Sequence, residues 1–247
     1  MNLQLTHYLV IISFLFIFSE MIIQYSGVGF AIIIFSLVLV LIIILFTYIK
    51  NTHRDYTCVF QMMILIPLYR IITLSVPIEL ITYEQYLLIT TIFILTGSLI
   101  LITFLKIPLE KVGLVLKEIK LQIICIAAGG VIGYVEWIFI QPSGFDLLIS
   151  NILILALCAF TDELIFRGLI QQSIERARRR PFTAILLAST LYTIFYISYM
   201  DTLELVLIFL TSLFFGYVVS KSKSIVGVSF SHALVNICCF VIFPNWL

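Results

Sequence analysis

Long apolar stretches recur along almost the whole chain, and they constrain its fold more than any other feature. A helix needs about 20 mostly apolar residues to cross the hydrocarbon layer of a bilayer. Stretches of that length lie near 5–25, 27–49, 57–78, 85–105, 121–140, 147–170, 182–200, 203–220 and 224–244. Since some links between them are very short, the count is eight or nine. The sequence therefore predicts an all-α polytopic membrane protein, a bundle of eight to nine transmembrane helices.

The composition agrees with a chain whose surroundings are a lipid bilayer. Hydrophobic residues make up 62% of the sequence and charged residues only 11%, whereas soluble domains carry about 25% charged residues. The formal net charge is +1, without the clustered basic patch that nucleic-acid binding requires. These numbers exclude a soluble domain, and they do not indicate nucleic-acid binding.

No repeat, low-complexity tract or long linker divides the chain, so we expect a single bundle. Within it, residues 1–106 form N-terminal transmembrane helices, and residues 107–247 form the core that carries the motifs described below. The segment Ile107–Lys120 alternates aliphatic and charged residues. This pattern predicts an amphipathic piece along the inner membrane interface.

The loop charges predict the orientation of the chain. Lysine and arginine accumulate in cytoplasmic loops, and here they fall in alternate loops while the opposite loops carry only acidic residues. We therefore expect an integral protein of the cell membrane with a cytoplasmic N-terminus. The basic residues of these loops are Lys50, Arg54, Lys106, Lys111, Lys117, Lys120, Arg176, Arg178, Arg179, Arg180, Lys221 and Lys223.

Several charges lie inside the predicted spans, where each ionised side chain costs about 2.5 to 3.5 kcal/mol and marks a candidate site. Glu20, Arg70 and Glu136 fall toward the outer half. For these we expect structural pairing of Arg70 with either acid, the alternative being a proton or ion path. A second cluster falls toward the inner half and consists of Asp162, Glu163, Arg167 and His232.

The inner acids have different predicted roles. Glu163 and Arg167 are one helical turn apart on the same face and can form an i,i+4 ion pair. Asp162 points about 100° away from Glu163, because each helical residue turns by that angle. It is thus left as a free carboxylate partly withdrawn from water, the setting of a general base.

Two other helices carry polar pairs at the same spacing. His232 and Asn236 are four residues apart, and such adjacent donors make an oxyanion hole or, alternatively, interhelical hydrogen bonds. Tyr192 and Tyr196 share a face of the helix that starts near Phe182. At 1.5 Å per residue, Tyr196 lies about 21 Å into that helix. It therefore reaches the inner cluster only if the helix starts in the cytosol.

These motifs and their order resemble the CAAX protease and bacteriocin-processing family, which includes type II CAAX prenyl endopeptidases and prokaryotic immunity proteins. Its first motif, Glu-Glu-x-x-x-Arg, reads Asp162-Glu163-Leu164-Ile165-Phe166-Arg167 here, and its last, His-x-x-x-Asn, reads His232-Ala233-Leu234-Val235-Asn236. The similarity covers about residues 105–240. Its second motif, Phe-x-x-x-His, reads Tyr192-Thr193-Ile194-Phe195-Tyr196, with tyrosine in place of the imidazole.

The resemblance implies a membrane-embedded endopeptidase in which about four helices surround a cavity that opens toward the cytosolic face. By position, Asp162 is the base, Glu163 and Arg167 are a supporting pair, and His232 with Asn236 is the oxyanion hole. Tyr196 takes the place of the water-activating histidine and can orient water or donate a hydrogen bond. The substrate is a membrane-associated peptide or protein cleaved near the cytosolic surface.

The two departures from the family motifs, Asp162 and Tyr196, leave further alternatives open. A catalytically degenerate member would bind a partner as an immunity or regulatory protein, and a transporter or channel would use the buried acids for flux. No cofactor is predicted. Although the family carries the label metallopeptidase, zinc sites commonly use two or more imidazoles, so we also predict no metal. Gly129, Gly130 and Gly133 form a small-residue face that permits close contact within the chain or in a homo-oligomer.

Overall fold

The computed structural model describes residues 3–52, 54–142, 144–198 and 200–246, and these ranges contain helices and turns but no strand. The α-helices are α1 Leu3–Ser26, α2 Val28–Thr52, α3 Arg54–Met63, α4 Leu65–Ser75, α5 Tyr83–Phe104, α6 Leu109–Val112, α7 Ile119–Ile140, α8 Ile149–Glu163, α9 Gln172–Arg178, α10 Pro181–Ile194, α11 Thr202–Ser222, α12 Val226–Ile237 and α13 Phe243–Trp246. A short 3₁₀ turn covers Ile78–Leu80. The predicted all-α class is confirmed.

Eight helical segments in the described part of the chain are long and apolar enough to cross a membrane. They agree with the lower of the two predicted counts. The expected span near 182–200 is instead α10, which has 14 residues and so rises about 21 Å, short of the 30 Å hydrocarbon thickness. The chain then turns between Phe195 and Ser198, and Asp201 caps the start of α11 through a capping box with Glu204. The protein is thus an integral membrane protein, and α10 is a helix of its bundle that is too short to span the hydrocarbon layer.

Two of the long segments change from α- to π-helical geometry within or close to a polar motif. Helix α8 ends at Glu163 and continues through the π segment Leu164–Gln171 into α9. Helix α12 continues through the π segment Cys238–Ile242 into α13. Wider π turns are rare and recur at functional sites. Both transitions lie beside the motif residues singled out from the sequence.

The glycine face of α7 packs within the chain. A side chain built at Gly133 would stand 2.8 Å from the carbonyl oxygen of Val235, and one at Gly129 would overlap the backbone of Ser231. Both contacts are with α12. Gly130, in contrast, faces open space. Two of the three glycines therefore set the close approach of α7 and α12, and the structure gives them this role without a second copy.

The segment 107–120 is less regular than expected. Only Leu109–Val112 is helical, since Gly113 adopts a left-handed conformation at φ 82° and ends that turn. Val112 is buried against Gly168, and the N–H of Ile225 donates to the carbonyl of Gly113. The segment thus covers the end of the bundle that carries the basic loops. The division of the chain at residue 106 stays a prediction.

Candidate active site

The two adjacent acids at the end of α8 face different surroundings. Asp162 lines a cavity inside the bundle, whereas Glu163 lies behind the cavity wall and has no exposed surface. This divergence follows from the 100° step between neighbouring helical residues. The predicted divergence of the two acids is therefore confirmed, but Asp162 is not the free carboxylate that the sequence predicted, since the hydroxyl of Tyr69 donates to it.

Glu163 is held by two basic side chains. Its Oε2 lies 3.2 Å from Nε of Arg167, one turn later, which confirms the predicted i,i+4 pair. Its Oε1 lies 2.9 Å from Nδ1 of His232. Arg167 is itself buried, donates from Nη2 to the hydroxyl of Ser212 at 2.8 Å, and lies over the ring of Tyr192 at 4.8 Å. A buried charge is tolerated only with such partners, so this cluster forms a fixed support behind the cavity.

The imidazole of His232 presents its other nitrogen to the tyrosines of α10. Nε2 lies 3.4 Å from the hydroxyl of Tyr192, and that hydroxyl lies 2.9 Å from the hydroxyl of Tyr196. Tyr196 stands after the end of α10, in the turn, and still lines the cavity. It therefore reaches the site, although the depth estimate from the sequence left this open. Tyr192, rather than Tyr196, is the residue in contact with the imidazole.

Asp162 has a partner that the sequence analysis missed. The hydroxyl of Tyr69 donates to Oδ1 of Asp162 at 2.9 Å. Tyr69 belongs to α4, and 93 residues separate the two in sequence. Its ring packs against Phe195 with centroids 5.1 Å apart. Tyr69 was not recognisable from the sequence, because nothing local distinguishes it from other tyrosines in apolar helices.

The predicted site residues surround one cavity of about 400 Å³. Asp162, Arg167, Tyr196, His232 and Asn236 all line it, and Glu163 supports it from behind. Asn236 lies one helical turn after His232 on α12, so both face the same volume. The structure thus brings together a carboxylate from α8 with an imidazole and an amide from α12.

The mouth of this cavity lies at the end of the bundle opposite the basic loops. Among its lining residues, the most exposed are Ile78, in the link between α4 and α5, and Tyr83, the first residue of α5, at 49% and 51%. Phe145 and Met200, from two other links on that side, also line it. At the other end, every residue of 164–174 is buried. The family resemblance implied a cavity that opens toward the cytosolic face, where the basic loops were expected. The cavity does not open toward those loops, because the π segment and the segment 107–120 close that end.

Of the two acids predicted for the outer half, one pairs with Arg70 and the other does not. Arg70 donates to both oxygens of Glu20, at 2.5 and 2.6 Å. Arg70 and Glu20 thus form a structural pair of the kind expected from the sequence. Glu136 does not share in it and accepts a hydrogen bond from Thr211 at 3.0 Å. Both Arg70 and Glu136 line the cavity nearer its mouth.

The donor set does not suit a catalytic metal ion. Of the nearest candidates, Glu163 is engaged by Arg167 and by Nδ1 of His232. This leaves Asp162 as the carboxylate beside the one imidazole nitrogen that faces the cavity, with a guanidinium nearby, whereas Glu136 lines the cavity nearer its mouth. In the part of the chain that the structure describes, no three His, Cys, Asp or Glu residues are grouped to hold a metal.

Comparison with known proteins supports the motif assignment. A family model described as type II CAAX prenyl endopeptidase Rce1-like matches residues 144–238. This range contains both motifs, from Asp162 to Arg167 and from His232 to Asn236, and it ends at the start of the second π segment. No curated protein and no solved structure matches the chain. With its motifs and its helical membrane fold, this match supports the resemblance of residues 144–238 to the type II CAAX prenyl endopeptidases.

Proposed function

We propose that the protein is an intramembrane endopeptidase in which Asp162 activates a water molecule for attack on a peptide bond. The observation that supports this most directly is the shared cavity of Asp162, His232 and Asn236. A pocket that contains an acid, an imidazole and an amide has the groups that acyl transfer to water requires. The substrate is a membrane-associated peptide or protein segment.

In the proposed reaction, Asp162 takes a proton from water as the hydroxyl oxygen bonds to the scissile carbonyl carbon. Tyr69 donates to Oδ1 of Asp162, so Oδ2 is the oxygen left to receive the proton. The tetrahedral intermediate carries its negative charge on the former carbonyl oxygen. When the C–N bond breaks, the proton passes to the leaving amine, and the acyl half leaves as a carboxylic acid.

His232 and Asn236 are placed to stabilise the oxyanion, and Glu163 determines how the imidazole does so. An Nδ1–H that donates to Glu163 leaves Nε2 with a lone pair in the neutral ring and with a proton in the imidazolium. In that arrangement, Nε2 donates to an oxyanion only when both ring nitrogens carry a proton. The Asn236 amide supplies a donor in either state.

The test is cleavage of membrane-associated peptides by the purified protein reconstituted in liposomes. Asp162→Asn and His232→Ala should each abolish turnover. Asp146→Asn makes the same chemical change at an exposed acid outside the cavity and should leave turnover intact. Thermal unfolding of each variant separates loss of activity from loss of fold. Undiminished cleavage by both cavity variants would overturn the proposal.

A second candidate function, binding without cleavage as an immunity or regulatory protein, is favoured by one observation. The second-motif position holds Tyr196, whose unperturbed pKa of about 10 makes it a poor base. In this case the wild-type protein captures a membrane partner, Asp162→Asn leaves capture unchanged, and Tyr196→His gains hydrolysis. Robust hydrolysis by the wild-type protein would exclude this function.

We also propose that the N-terminus is cytoplasmic and that the protein lies in the cell membrane, as the basic loops indicate. The cavity mouth near Ile78 and Tyr83 then faces the non-cytoplasmic side. Substrate would enter from that side or from the adjoining leaflet.

A further inference from the structure

We propose that Glu136 forms a subsite for a positively charged side chain, that of lysine or arginine, on the bound peptide. This proposal rests on the proposed function, because it names a feature of the peptide that enters the same cavity. It assigns to Glu136 a role in specificity rather than in the chemical step.

Glu136 is buried from the surroundings of the protein, and its side chain is reached from the cavity. It lies on α7 one turn after Gly133, whose contact with Val235 brings this part of α7 against α12. The side chain is 8% exposed and lines the cavity. Its Oε1 accepts from Thr211, and the structure shows no hydrogen bond to Oε2. Glu136 is therefore a buried carboxylate with one oxygen left for a donor inside the cavity.

The cavity is lined by acidic side chains that have no basic side chain as a partner within the described ranges of the chain. Arg70 is matched by Glu20, and Arg167 by Glu163. Among the described residues, Glu136 and Asp162 form no ion pair with a lysine or arginine. The cavity thus holds two carboxylates beyond its matched pairs, against the single imidazole of His232, which Glu163 already engages.

A buried acid without a partner of opposite charge is costly to ionise, and a cation that binds beside it favours the ionised form. A lysine ammonium or arginine guanidinium on the peptide would supply that partner and would donate to Oε2 of Glu136. A free C-terminal carboxylate at the same place would meet a like charge and be disfavoured. The geometry therefore points to a peptide with a basic side chain, cleaved at an internal bond, rather than to one that places its terminal carboxylate near Glu136.

The experiment measures binding separately from cleavage. Fluorescent eight-residue apolar peptide amides, each with one lysine at a different position, are titrated against the wild-type protein and the Asp162→Asn variant in lipid nanodiscs. Peptides with norleucine at the same positions are the neutral reference. At one position we expect lysine to bind at least about tenfold more tightly than norleucine, the effect of a charge-assisted contact of about 1.4 kcal/mol.

The variant Glu136→Gln keeps an acceptor for Thr211 and removes the charge, so it should lose this lysine preference while its norleucine affinity is unchanged. Glu79→Gln is the matched control, since Glu79 is an exposed acid next to the mouth and tests general attraction of cations. Its lysine preference should equal that of the wild type.

The outcomes separate this proposal from the proposed function. Lysine preference that survives in Glu136→Gln, or the absence of any preferred position in the wild type, overturns the subsite. Loss of the preference in Glu136→Gln supports the subsite even if no peptide is cleaved, in which case only the peptidase proposal fails. If lysine and norleucine peptides are cleaved at equal rates, the peptidase proposal is supported and the subsite proposal is overturned.

Discussion

The carboxylate of Glu163 joins Arg167 to His232: its two oxygens lie 3.2 Å from Nε of the arginine and 2.9 Å from Nδ1 of the imidazole. All three side chains are at least nine-tenths buried. The acid thus fixes both the position and the donor pattern of the ring that faces the cavity, a role that residues behind an active site commonly have. Its neighbour Asp162 faces the cavity instead.

Replacing Glu163 with glutamine should destabilise the protein, because the guanidinium of Arg167 would remain buried without a counter-charge. Loss of one member of a buried pair costs about 3 to 5 kcal/mol. The double variant Glu163→Gln with Arg167→Met should recover much of this stability without recovering activity, since His232 still lacks its anionic partner. Denaturation and cleavage assays on the same preparations check both. A single variant as stable as the wild type would contradict the proposed support.

Tyr69→Phe should lower kcat/KM by about ten- to a hundredfold, because a hydrogen bond to a charged group contributes about 1.5 to 3 kcal/mol. The phenyl ring keeps its packing against Phe195, so we expect little change in unfolding temperature. Steady-state kinetics in liposomes measure the effect.

The control for this prediction is Tyr86→Phe. Tyr86 also lines the cavity, but its hydroxyl donates to the carbonyl of Thr73 rather than to Asp162. Its effect on kcat/KM should be less than about tenfold. Equal losses in the two variants would show that the contact with Asp162 has no special role.

Gly133→Val should weaken the packing of α7 on α12. The new side chain would meet the backbone of Val235 and the side chain of Cys238 at 2.8 Å, and such overpacking costs about 1 to 3 kcal/mol. Because α12 carries His232 and Asn236, activity should fall as well. Gly130→Val, on the open side of the same helix, should leave stability and activity near those of the wild type. Thermal unfolding of the two variants decides between these outcomes.

The mouth of the cavity can be located with thiol chemistry. In a background without the native cysteines, Ile78→Cys should react with a membrane-impermeant maleimide added outside intact cells, and the bulky adduct should block cleavage. Leu80→Cys is equally near the surface but does not line the cavity. It should react without loss of activity. Modification of Ile78→Cys only after the cells are opened would reverse the proposed orientation.

Short-range relationships were predictable from the sequence. The pairing of Glu163 with Arg167 follows from helical spacing, and the divergence of Asp162 from Glu163 follows from the same geometry. The shared face of His232 and Asn236 also required only a continuous helix over those residues. Apolar runs of the right length predicted the membrane spans, because length and composition alone decide whether a helix can cross.

Long-range relationships were not predictable. The contact between Tyr69 and Asp162 depends on how α4 packs against α8, and no local pattern encodes it. The choice of Glu20 rather than Glu136 as the partner of Arg70 has the same origin. The short α10 was overestimated because Phe195 and Ile197 continue its apolar pattern, although the chain turns there. In each case the tertiary packing decided what the sequence left open.

The bundle is closed at the level of residues 164–174, and this restricts the shape of a peptide that enters from the mouth at the opposite end. Such a peptide cannot leave through the closed end. Under the proposed function, a chain terminus or a tightly folded loop would extend down to Asp162, and neither fragment would depart through that end. Turnover would then be sensitive to the size of the released pieces as well as to the bond that is cut.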